Sequence, residues 1–411
     1  MAELKYWIWL NELGINPLLA RRLMGHFGGP KEVFFAEREA FIGIPDLWER
    51  DVNALSNKKL DHVHRIQDDM QALGGRILTQ QDADYPQRLR DIADAPLVLY
   101  VRGRLPVVDD EAAVAIAGTR DCSPYGRAAA ARIAGEVTRH GGLVVSGLAK
   151  GIDTAAAEGA LREGGPVIGV LGCGVERVYP AENVALFEAV LENGALVTEY
   201  PPGTEPAGRN FPRRNRIMTG LSLALVVVEI PSEKSGAMRS VDHAVEQGRD
   251  IFVVPANIDA PTSQASNTLI VEGFQSASTG WQVLRDYAGQ FPRIREEIRE
   301  ERQVARPAHR AIPAVPPPVK KTQDSPKKEI DKGEKEDYID LSEVLKGRSE
   351  AEQAVLACLG AEPRHVDEII AGCSMPAQKV SVCLTTLAIG GYIKEHPGKR
   401  YSLDPQIRSS R

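Results

Sequence analysis

Hydrophobic residues between positions 110 and 255 occur in short continuous runs instead of alternating with polar ones. Continuous apolar runs are typical of strands that are covered on both faces, and the segments between them have helical spacing. This alternation predicts an α/β fold with a doubly wound, mostly parallel sheet. The predicted strands are residues 114–117, 143–145, 167–170, 195–197, 224–228 and 251–254, and the predicted helices are residues 127–139, 155–161, 184–191 and 241–247.

The pattern changes on both sides of this region. Residues 1–73 have helical periodicity punctuated by glycines, which predicts a small helical module, and residues 74–110 form an extended lead-in to a sheet domain that ends at residue 290. Residues 291–348 are charged and rich in proline. Such a segment buries too little apolar surface to offset the entropy of ordering it, so it predicts a linker.

Residues 349–405 predict a separate domain after the linker. Three short amphipathic helices are expected at residues 350–359, 366–371 and 376–387. Two short extended segments follow them, at residues 392–394 and 401–403, and can pair as a hairpin. Three helices followed by a hairpin are typical of a winged helix.

The composition sets wide limits on function. The chain has 411 residues, 26% of them charged, and a formal net charge of -6, values that exclude wholesale disorder. A mildly acidic protein is a weaker candidate for binding nucleic acid, but affinity for phosphate depends on where the positive charges lie. No apolar run is long enough for a membrane span, and no signal peptide or CxxC pair is present. We therefore expect a cytoplasmic protein with reduced thiols and no membrane partner.

Candidate phosphate-binding residues follow the first two strands of the predicted sheet. Gly118, Thr119 and Arg120 come directly after the first strand, and the Ser-Pro pair beyond them begins a helix whose free N–H groups attract anions. After the second strand come Ser146, Gly147 and Lys150. Carboxyl ends of parallel strands meet at one edge of the sheet, so both loops should face one crevice.

The densest positive charge follows the fourth strand. Arginine with an aromatic ring is the combination that tracks a single nucleic-acid strand, because charge holds the backbone while the ring stacks on a base. A solvated helix start is the alternative interpretation. The cluster comprises Arg209, Phe211, Arg213, Arg214, Asn215 and Arg216, and the loop after the fifth strand adds Ser235, Gly236 and Arg239.

Several motifs that signal catalysis or cofactors are absent from the sequence. There is no GxxxxGK[ST] loop, no GxGxxG after the first strand, and no GxSxG or HExxH. Cys173 is expected to be a small buried thiol, and His62 and His64 lie on a polar helical stretch. The sequence predicts no catalytic residue, no metal site and no cofactor.

Four blocks, at residues 118–126, 146–153, 211–216 and 235–236, resemble in order and spacing the DNA processing protein A family, also called DprA or Smf. The resemblance implies an extended Rossmann-like fold, an N-terminal module similar to a SAM or helix-hairpin-helix domain, and a C-terminal winged helix. It also implies a non-enzymatic protein that binds single-stranded DNA, protects incoming DNA during natural transformation and loads RecA. The family dimerises through its Rossmann-like domain, and we expect the contacts at residues 268–281.

The same resemblance assigns roles to individual residues. Arg120 and Lys150 are expected to hold phosphates with help from the backbone amides of Gly118 and Thr119. Three arginines are expected to extend this basic wall: Arg213, Arg214 and Arg216. One departure is that Ala-Met-Arg follows Ser235 and Gly236, which brings Arg239 to this edge.

Two other functions remain open at the level of sequence. A nucleotide phosphoribohydrolase-like enzyme on a related Rossmann-like fold would need a PGGxGT loop, which Pro-Ala-Asn at residues 255–257 does not match. A transcription factor acting through the winged helix would need a basic recognition helix, but residues 376–387 carry only Lys379. This favours protein contact or regulation for the winged helix, while Lys394, Lys399 and Arg400 keep duplex contact open.

Overall fold

The computed structural model describes residues 3–296, 339–340, 348–360, 362–373, 375–389, 392–396, 400–404 and 407–408. The chain divides into two compact units, Met1–Ala314 and Val315–Arg411, and each is described by itself. Most of the predicted linker at 291–348 lies outside the described residues.

A nine-stranded sheet is the framework of the first unit. Its strands are β1 (Arg76–Thr79), β2 (Val98–Gly103), β3 (Ala113–Gly118), β4 (Leu143–Ser146), β5 (Val167–Val170), β6 (Ala195–Thr198), β7 (Ala224–Val228), β8 (Asp250–Val253) and β9 (Gln275–Ser276). Their spatial order is β1-β2-β6-β5-β4-β3-β7-β8-β9. Strands β3 to β9 are parallel, whereas β2 runs antiparallel to β6 and β1 antiparallel to β2. The predicted doubly wound sheet and its six buried strands are confirmed.

Strand β3 is an interior strand between β4 and β7, and the direction of winding reverses beside it. The chain passes from β3 through β4 and β5 to β6 on one side, then returns to β7 on the other side. Val114 of β3 pairs with Ala224 of β7, and the register continues to Gly118 opposite Val228. Ligands of doubly wound sheets bind beyond the carboxyl ends of the strands at such a switch point. The loops after β3 and β7 therefore border the expected ligand site.

Helices cover both faces of this sheet. Val114 and Ile116 of β3 face one apolar layer, while Ala115 and Ala117 face the other. The first layer contains α7 (Pro124–Arg139), α8 (Ile152–Arg162), α9 (Val184–Asn193) and α13 (Gly280–Leu284), and the second contains α6 (Gln87–Arg90), α10 (Asn210–Gly220), α11 (Met238–Glu246) and α12 (Gln264–Val271). Short 3-10 helices lie at Arg38–Phe41, Val108–Asp110, Ala181–Asn183 and Arg285–Tyr287.

The N-terminal residues form the predicted helical region. Its helices are α1 (Leu4–Glu12), α2 (Pro17–Phe27), α3 (Pro30–Phe35), α4 (Glu49–Ser56) and α5 (Asp61–Ala72). Trp9 is fully buried, and its indole N–H donates to the carbonyl of Asn57 at 2.8 Å. The core of this region is continuous with one face of the sheet, and the Asn11 amide donates to the carbonyl of Glu199 at 3.3 Å. The likeness to a SAM or helix-hairpin-helix domain stays a prediction.

The second unit has the winged-helix arrangement that the sequence predicts. Its elements are β10 (Ile339–Asp340), α14 (Glu350–Ala357), β11 (Arg364–His365), α15 (Val366–Cys373), α16 (Ala377–Ile389), β12 (Ile393–His396), β13 (Arg400–Leu403) and β14 (Ile407–Arg408). Strands β12 and β13 form the predicted antiparallel pair, with Ile393 opposite Leu403. Strand β11, which the sequence did not suggest, pairs with β13. Lys399 lies outside the described residues.

Across the described ranges, no helix combines the length and apolar character needed to cross a bilayer.

Candidate nucleic-acid interface

A crevice of about 310 Å³ opens at the switch point beside β3. Its walls come from three strand ends with their loops and from the start of α10, which sequence analysis placed at one edge. Gly118 ends β3, Thr119 and Arg120 follow it, and Ala149 follows β4. The segment around Phe211 and the loop at Ser235 and Gly236 complete the lining. These segments therefore meet at one crevice, whereas Lys150, Arg209, Arg213 and Arg216 are not among its lining residues.

Glu229 holds the loop after β3 in place. Ser123 caps α7, since its hydroxyl accepts a hydrogen bond from the Gly126 N–H at 3.0 Å. The carboxylate of Glu229, which is 2% exposed, accepts the Ser123 N–H at 2.8 Å and the Thr262 hydroxyl at 2.9 Å. Sequence reasoning missed this residue, and its signal was an acidic side chain inside an otherwise apolar run.

Gly118 is required for close packing of the backbone and not for the approach of a ligand. A Cβ on Gly118 would overlap the Val228 carbonyl and the Ile152 side chain. Its backbone N–H is directed at the buried carboxylate of Asp153, and the Thr119 N–H donates to the Glu229 carbonyl at 2.9 Å. The expectation that both amides assist in holding phosphate was wrong for Thr119, because its N–H already has a partner, and stays a prediction for Gly118.

Arg120 and Lys150 are the accessible cations of the rim. Arg120 is exposed and forms no ion pair within the described part of the chain. Lys150 follows Ala149, and its ammonium lies 3.9 Å from the carboxylate of the exposed Asp121. A contact this long between exposed groups contributes little. Both side chains can therefore turn to an anion at the crevice.

Arg214 lies at the floor of the crevice and is 3% exposed. Its guanidinium donates to the Val170 carbonyl, and its Nε has no hydrogen-bond partner. A Cβ on Gly147 would overlap this guanidinium, so the glycine is needed to admit it. Burial raises the pKa of Asp153 to about 6, although the charge of Arg214 and backbone hydrogen bonds oppose the rise.

Arg216 does not reach the crevice at all, which corrects the predicted basic wall. It is 1% exposed and binds Glu199 at 2.6 Å and Asp94 at 3.0 Å. Residues two apart on a helix point in nearly opposite directions, so Arg214 and Arg216 cannot share one surface. Arg213 is exposed, but its Nε lies 3.4 Å from the same Glu199.

A stacked aromatic pair stands at the mouth of the crevice. The rings of Tyr179 and Phe211 are 5.1 Å apart with an interplanar angle of 29°, and the guanidinium carbon of Arg120 lies 5.4 Å from the centre of the Phe211 ring. Tyr179 is 41% exposed. Sequence analysis did not place Tyr179 in the site, since its only signal was an aromatic residue shortly after a glycine-rich strand end.

The remaining predicted residues divide between the rim and the interior. Asn215 lines the crevice, and its amide donates to the Gly236 carbonyl at 3.4 Å. Arg209 is exposed at the start of α10, while Arg239 pairs with Asp242 at 3.3 Å. Ser146 is fully buried and donates to the carbonyl of Asp153 at 2.8 Å. Its predicted contact with phosphate is therefore excluded by its position.

Within the described residues, no group of three or more His, Cys, Asp or Glu side chains is arranged to hold a metal ion.

Comparison with known proteins places this geometry in a family. Residues 76–288 match the profile described as DNA recombination-mediator protein A, and residues 342–399 match the DprA winged helix domain. The chain is 31% identical over 410 residues to Protein Smf of Synechocystis, covering 97% of this chain and 98% of that protein. It is 36% identical over 206 residues to DNA processing protein DprA of Streptococcus pneumoniae, covering 50% and 72%.

A solved structure agrees with these sequence matches. The X-ray structure of DprA from Streptococcus pneumoniae superposes with a TM-score of 0.61 and 29% identity, covering 69% of this chain and 97% of that one. The matched segments include the sheet around the crevice and the winged helix. The chain is therefore a member of the DprA/Smf family of DNA processing proteins.

Proposed function

We propose that this chain binds single-stranded DNA in the crevice beside β3. The observation that carries the proposal is the stacked pair of Tyr179 and Phe211 with Arg120 beside it. Aromatic faces stack on bases whose edges are unpaired, and neighbouring cations hold the backbone of the strand. Lys150 and Arg209 are exposed and directly follow Ala149 and Gly208, which line the crevice. The two cations nearest to the β3 and β4 ends, Arg120 and Lys150, would contact successive phosphates.

The test is a titration of a fluorescein-labelled oligo(dT) strand, followed by anisotropy at several salt concentrations. Arg120→Ala and Lys150→Ala should each weaken binding and reduce the slope of log affinity against log salt by about 0.7, the value for one phosphate contact on a single strand. The control is Arg162→Ala, which removes an exposed arginine at the far end of α8, about 15 Å from its start. If Arg120→Ala and Lys150→Ala both bind as tightly as the wild type, the proposed binding site is wrong.

The stacked pair gives a separate test of the same proposal. Tyr179→Ala should weaken binding by about 5- to 150-fold, the range for one base stacked on an aromatic ring, without changing the salt dependence. Tyr179→Phe keeps the ring and should bind as the wild type does. Equal loss in both variants would contradict stacking.

We infer that the bound strand is passed to RecA, so that the chain protects incoming DNA during natural transformation and loads the recombinase. The description of the matched family as a recombination mediator supports this role. The assay is RecA-dependent ATP hydrolysis on DNA coated with single-strand-binding protein. The chain should shorten the lag, and Arg120→Ala should not. An unchanged lag with the wild-type chain would remove the mediator role while leaving DNA binding in place.

We also propose a homodimer formed through residues 268–281 of the Rossmann-like domain. Strand β9 lies at the edge of the sheet, and Val271, the last residue of α12 shortly before it in the sequence, is 88% exposed. An open sheet edge and an exposed apolar side chain in the same segment support a protein contact. Light scattering should give a dimer for the wild type and for Val107→Asp, whose side chain is 68% exposed elsewhere. Val271→Asp should be a monomer, and a monomeric wild type would overturn the proposal.

The crevice is proposed to bind without catalysis. Asp153, the buried carboxylate that lines it, accepts backbone N–H groups, and Glu229, which holds the neighbouring loop, accepts hydrogen bonds from Ser123 and Thr262. The alternative is a phosphoribohydrolase-like enzyme, which would release base or phosphate from nucleotides. Incubation of the purified chain with nucleoside monophosphates should release neither, and steady release that Asp153→Asn abolishes would establish the enzyme instead.

A further inference from the structure

Two cysteine side chains meet inside the winged-helix unit. Cys358 directly follows α14, and Cys373 is the last residue of α15. Their sulfur atoms are 3.3 Å apart, with the Cys373 thiol directed at the Cys358 sulfur. Both residues are reduced in this structure. The pair lies 15 positions apart in the sequence, so a bond between the sulfurs would close a short loop.

The surroundings of the pair leave room for a bond. A disulfide needs a sulfur separation of about 2.05 Å, so the two atoms must approach by little more than 1 Å. Gly372 lies against this position, since a Cβ there would come within 3.1 Å of the Cys358 sulfur. Cys383 is buried in the same core, and in the described residues it has no hydrogen bond to either sulfur. Of the three thiols in this core, the geometry therefore favours a bond between Cys358 and Cys373.

We propose that Cys358 and Cys373 are a redox-sensitive modification site, which a small-molecule disulfide such as oxidised glutathione converts to an intramolecular disulfide joining α14 to α15.

The reaction balances as two successive thiol–disulfide exchanges. The sulfur of Cys358, which is the more exposed of the two, attacks the small disulfide, breaks its S–S bond and releases one small thiol. Cys373 then attacks the Cys358 sulfur of the mixed disulfide and releases the second small thiol. Each protein thiol loses its proton to a departing thiolate. The protein pair is oxidised by two electrons, and the small disulfide is reduced by two.

The environment of the pair sets the rate of this reaction. Burial and the contact with Cys358 raise the pKa of the Cys373 thiol well above that of a free cysteine. The thiolate is the attacking species, so only a small fraction of Cys373 reacts at neutral pH. The closing step should therefore be slow at pH 7 and should accelerate about tenfold per pH unit up to pH 9.

The experiment uses the full chain, with iodoacetamide blocking and tryptic peptide mass spectrometry. Cleavage after Arg348, Arg364, Lys379 and Lys394 places the three thiols of this unit on three different peptides. Treatment with oxidised glutathione should lower the five free thiols to three and link peptides 349–364 and 365–379. Dithiothreitol should restore all five. An unchanged thiol count at pH 9, or a link that includes Cys383, would overturn the proposal.

Single variants provide matched controls for this assignment. Cys383→Ser removes a buried thiol of the same core and should still form the linked peptide. Cys358→Ser and Cys373→Ser should not form it. A melting scan of the oxidised wild type separates a true cross-link from a folding defect, because closing this loop should raise the second unit's melting temperature reversibly. A lower melting temperature in the oxidised wild type would contradict the claim that this disulfide is compatible with the native fold.

Discussion

Asp153 and Arg214 carry opposite charges beneath the crevice, and both side chains are largely withdrawn from solvent. Arg120 and the backbone N–H groups of Gly118 and Ala149 also act on the Asp153 carboxyl. Burial outweighs them and raises the pKa of Asp153 to about 6. Since the carboxyl takes up a proton near this pH, its negative charge beside the proposed anion site disappears as the pH falls. This makes the crevice more positive in mildly acidic solution.

The affinity for single-stranded DNA should therefore rise as the pH falls from 7.5 to 5.5. A bound phosphate raises the pKa of Asp153 further, so binding takes up a proton and lower pH favours the complex. Asp153→Asn should bind more tightly than the wild type at pH 7.5 and lose this step. Asp121→Asn removes an exposed carboxylate at the same rim and should keep the step. Anisotropy titrations between pH 7.5 and 5.5 measure the affinity of both variants. If Asp153→Asn shows the same rise in affinity as the wild type, Asp153 is not the group that causes it.

Gly147 determines whether Arg214 can occupy the crevice floor. Gly147→Ala should lower the free energy of unfolding by about 1–3 kcal/mol, because a methyl group is forced against a buried guanidinium. It should also weaken DNA binding by displacing Arg214. Gly25→Ala is the control, since a Cβ there meets nothing within 4 Å. In helix α2 that change should stabilise the protein by about 0.5–1 kcal/mol. Urea unfolding curves compare the two variants with the wild type. If Gly147→Ala is as stable as the wild type, the added methyl group does not overlap Arg214.

At the scale of elements, the sequence predicted strands that are buried on both faces. Strands β3 to β8 are continuous apolar runs, which is the pattern that a doubly wound sheet imposes. The edge strands were missed because β1 begins with an exposed arginine and is buried only in its second half, and because β9 has only two residues, both exposed. Strand β2 was recognised only as an extended lead-in. A short edge strand has one partner at most and need not be apolar on both faces.

The arginine cluster shows why the site was harder to predict than the fold. In the sequence, residues 209–216 are a block of charge, but α10 gives each arginine a different direction. Arg209 stays exposed, Arg214 points to the crevice floor, and Arg216 is held by Glu199 and Asp94. Asp94 comes from a segment distant in sequence, and although Glu199 lies only 17 residues upstream, no local pattern shows which arginine it binds. The position of the loops could therefore be predicted from the sequence. The role of each charged residue could not, because it depends on how the folded chain packs around it.

The start of α7 links the loop after β3 to that after β7. Ser123→Ala removes the cap of this helix and a hydrogen bond to Glu229, and should cost about 1–2 kcal/mol of stability. It should also weaken DNA binding because Arg120 lies in the loop before the cap. Asn16→Ala removes the cap of α2, whose oxygen accepts the Leu18 N–H at 2.9 Å. That variant should lose stability by a similar amount and keep its affinity, and reduced affinity in both would indicate a general effect of unfolding.

At the scale of the whole molecule, a net charge of -6 is compatible with a strand-binding site. The exposed cations Arg120, Lys150 and Arg209 lie near one opening, while acidic residues are spread along the chain. The field near the crevice decides local affinity, whereas the total charge governs solubility and non-specific attraction to polyanions. The proposed activity therefore needs only a local excess of positive charge.

Because every residue of the crevice belongs to the first unit, removal of the second should spare DNA binding. A chain that ends at residue 314 should bind oligo(dT) within about threefold of the full chain, since it keeps all the proposed phosphate contacts. The control is the same truncated chain carrying Arg120→Ala, which should lose affinity as in the full chain. A drop of tenfold or more on truncation alone would place essential contacts in the second unit.

The pairing of β3 with β7 has a consequence for the newly made chain. Val114 and Ala224 are neighbours in the sheet but lie 110 positions apart in the sequence. At about 5–20 residues per second, a ribosome needs about 5–20 seconds to pass from one to the other. During that interval β3 can pair with β4 but has an open edge, which is a template for unwanted association. The crevice can therefore form only after β7 has been made. Until then, the order of synthesis leaves the edge of β3 exposed.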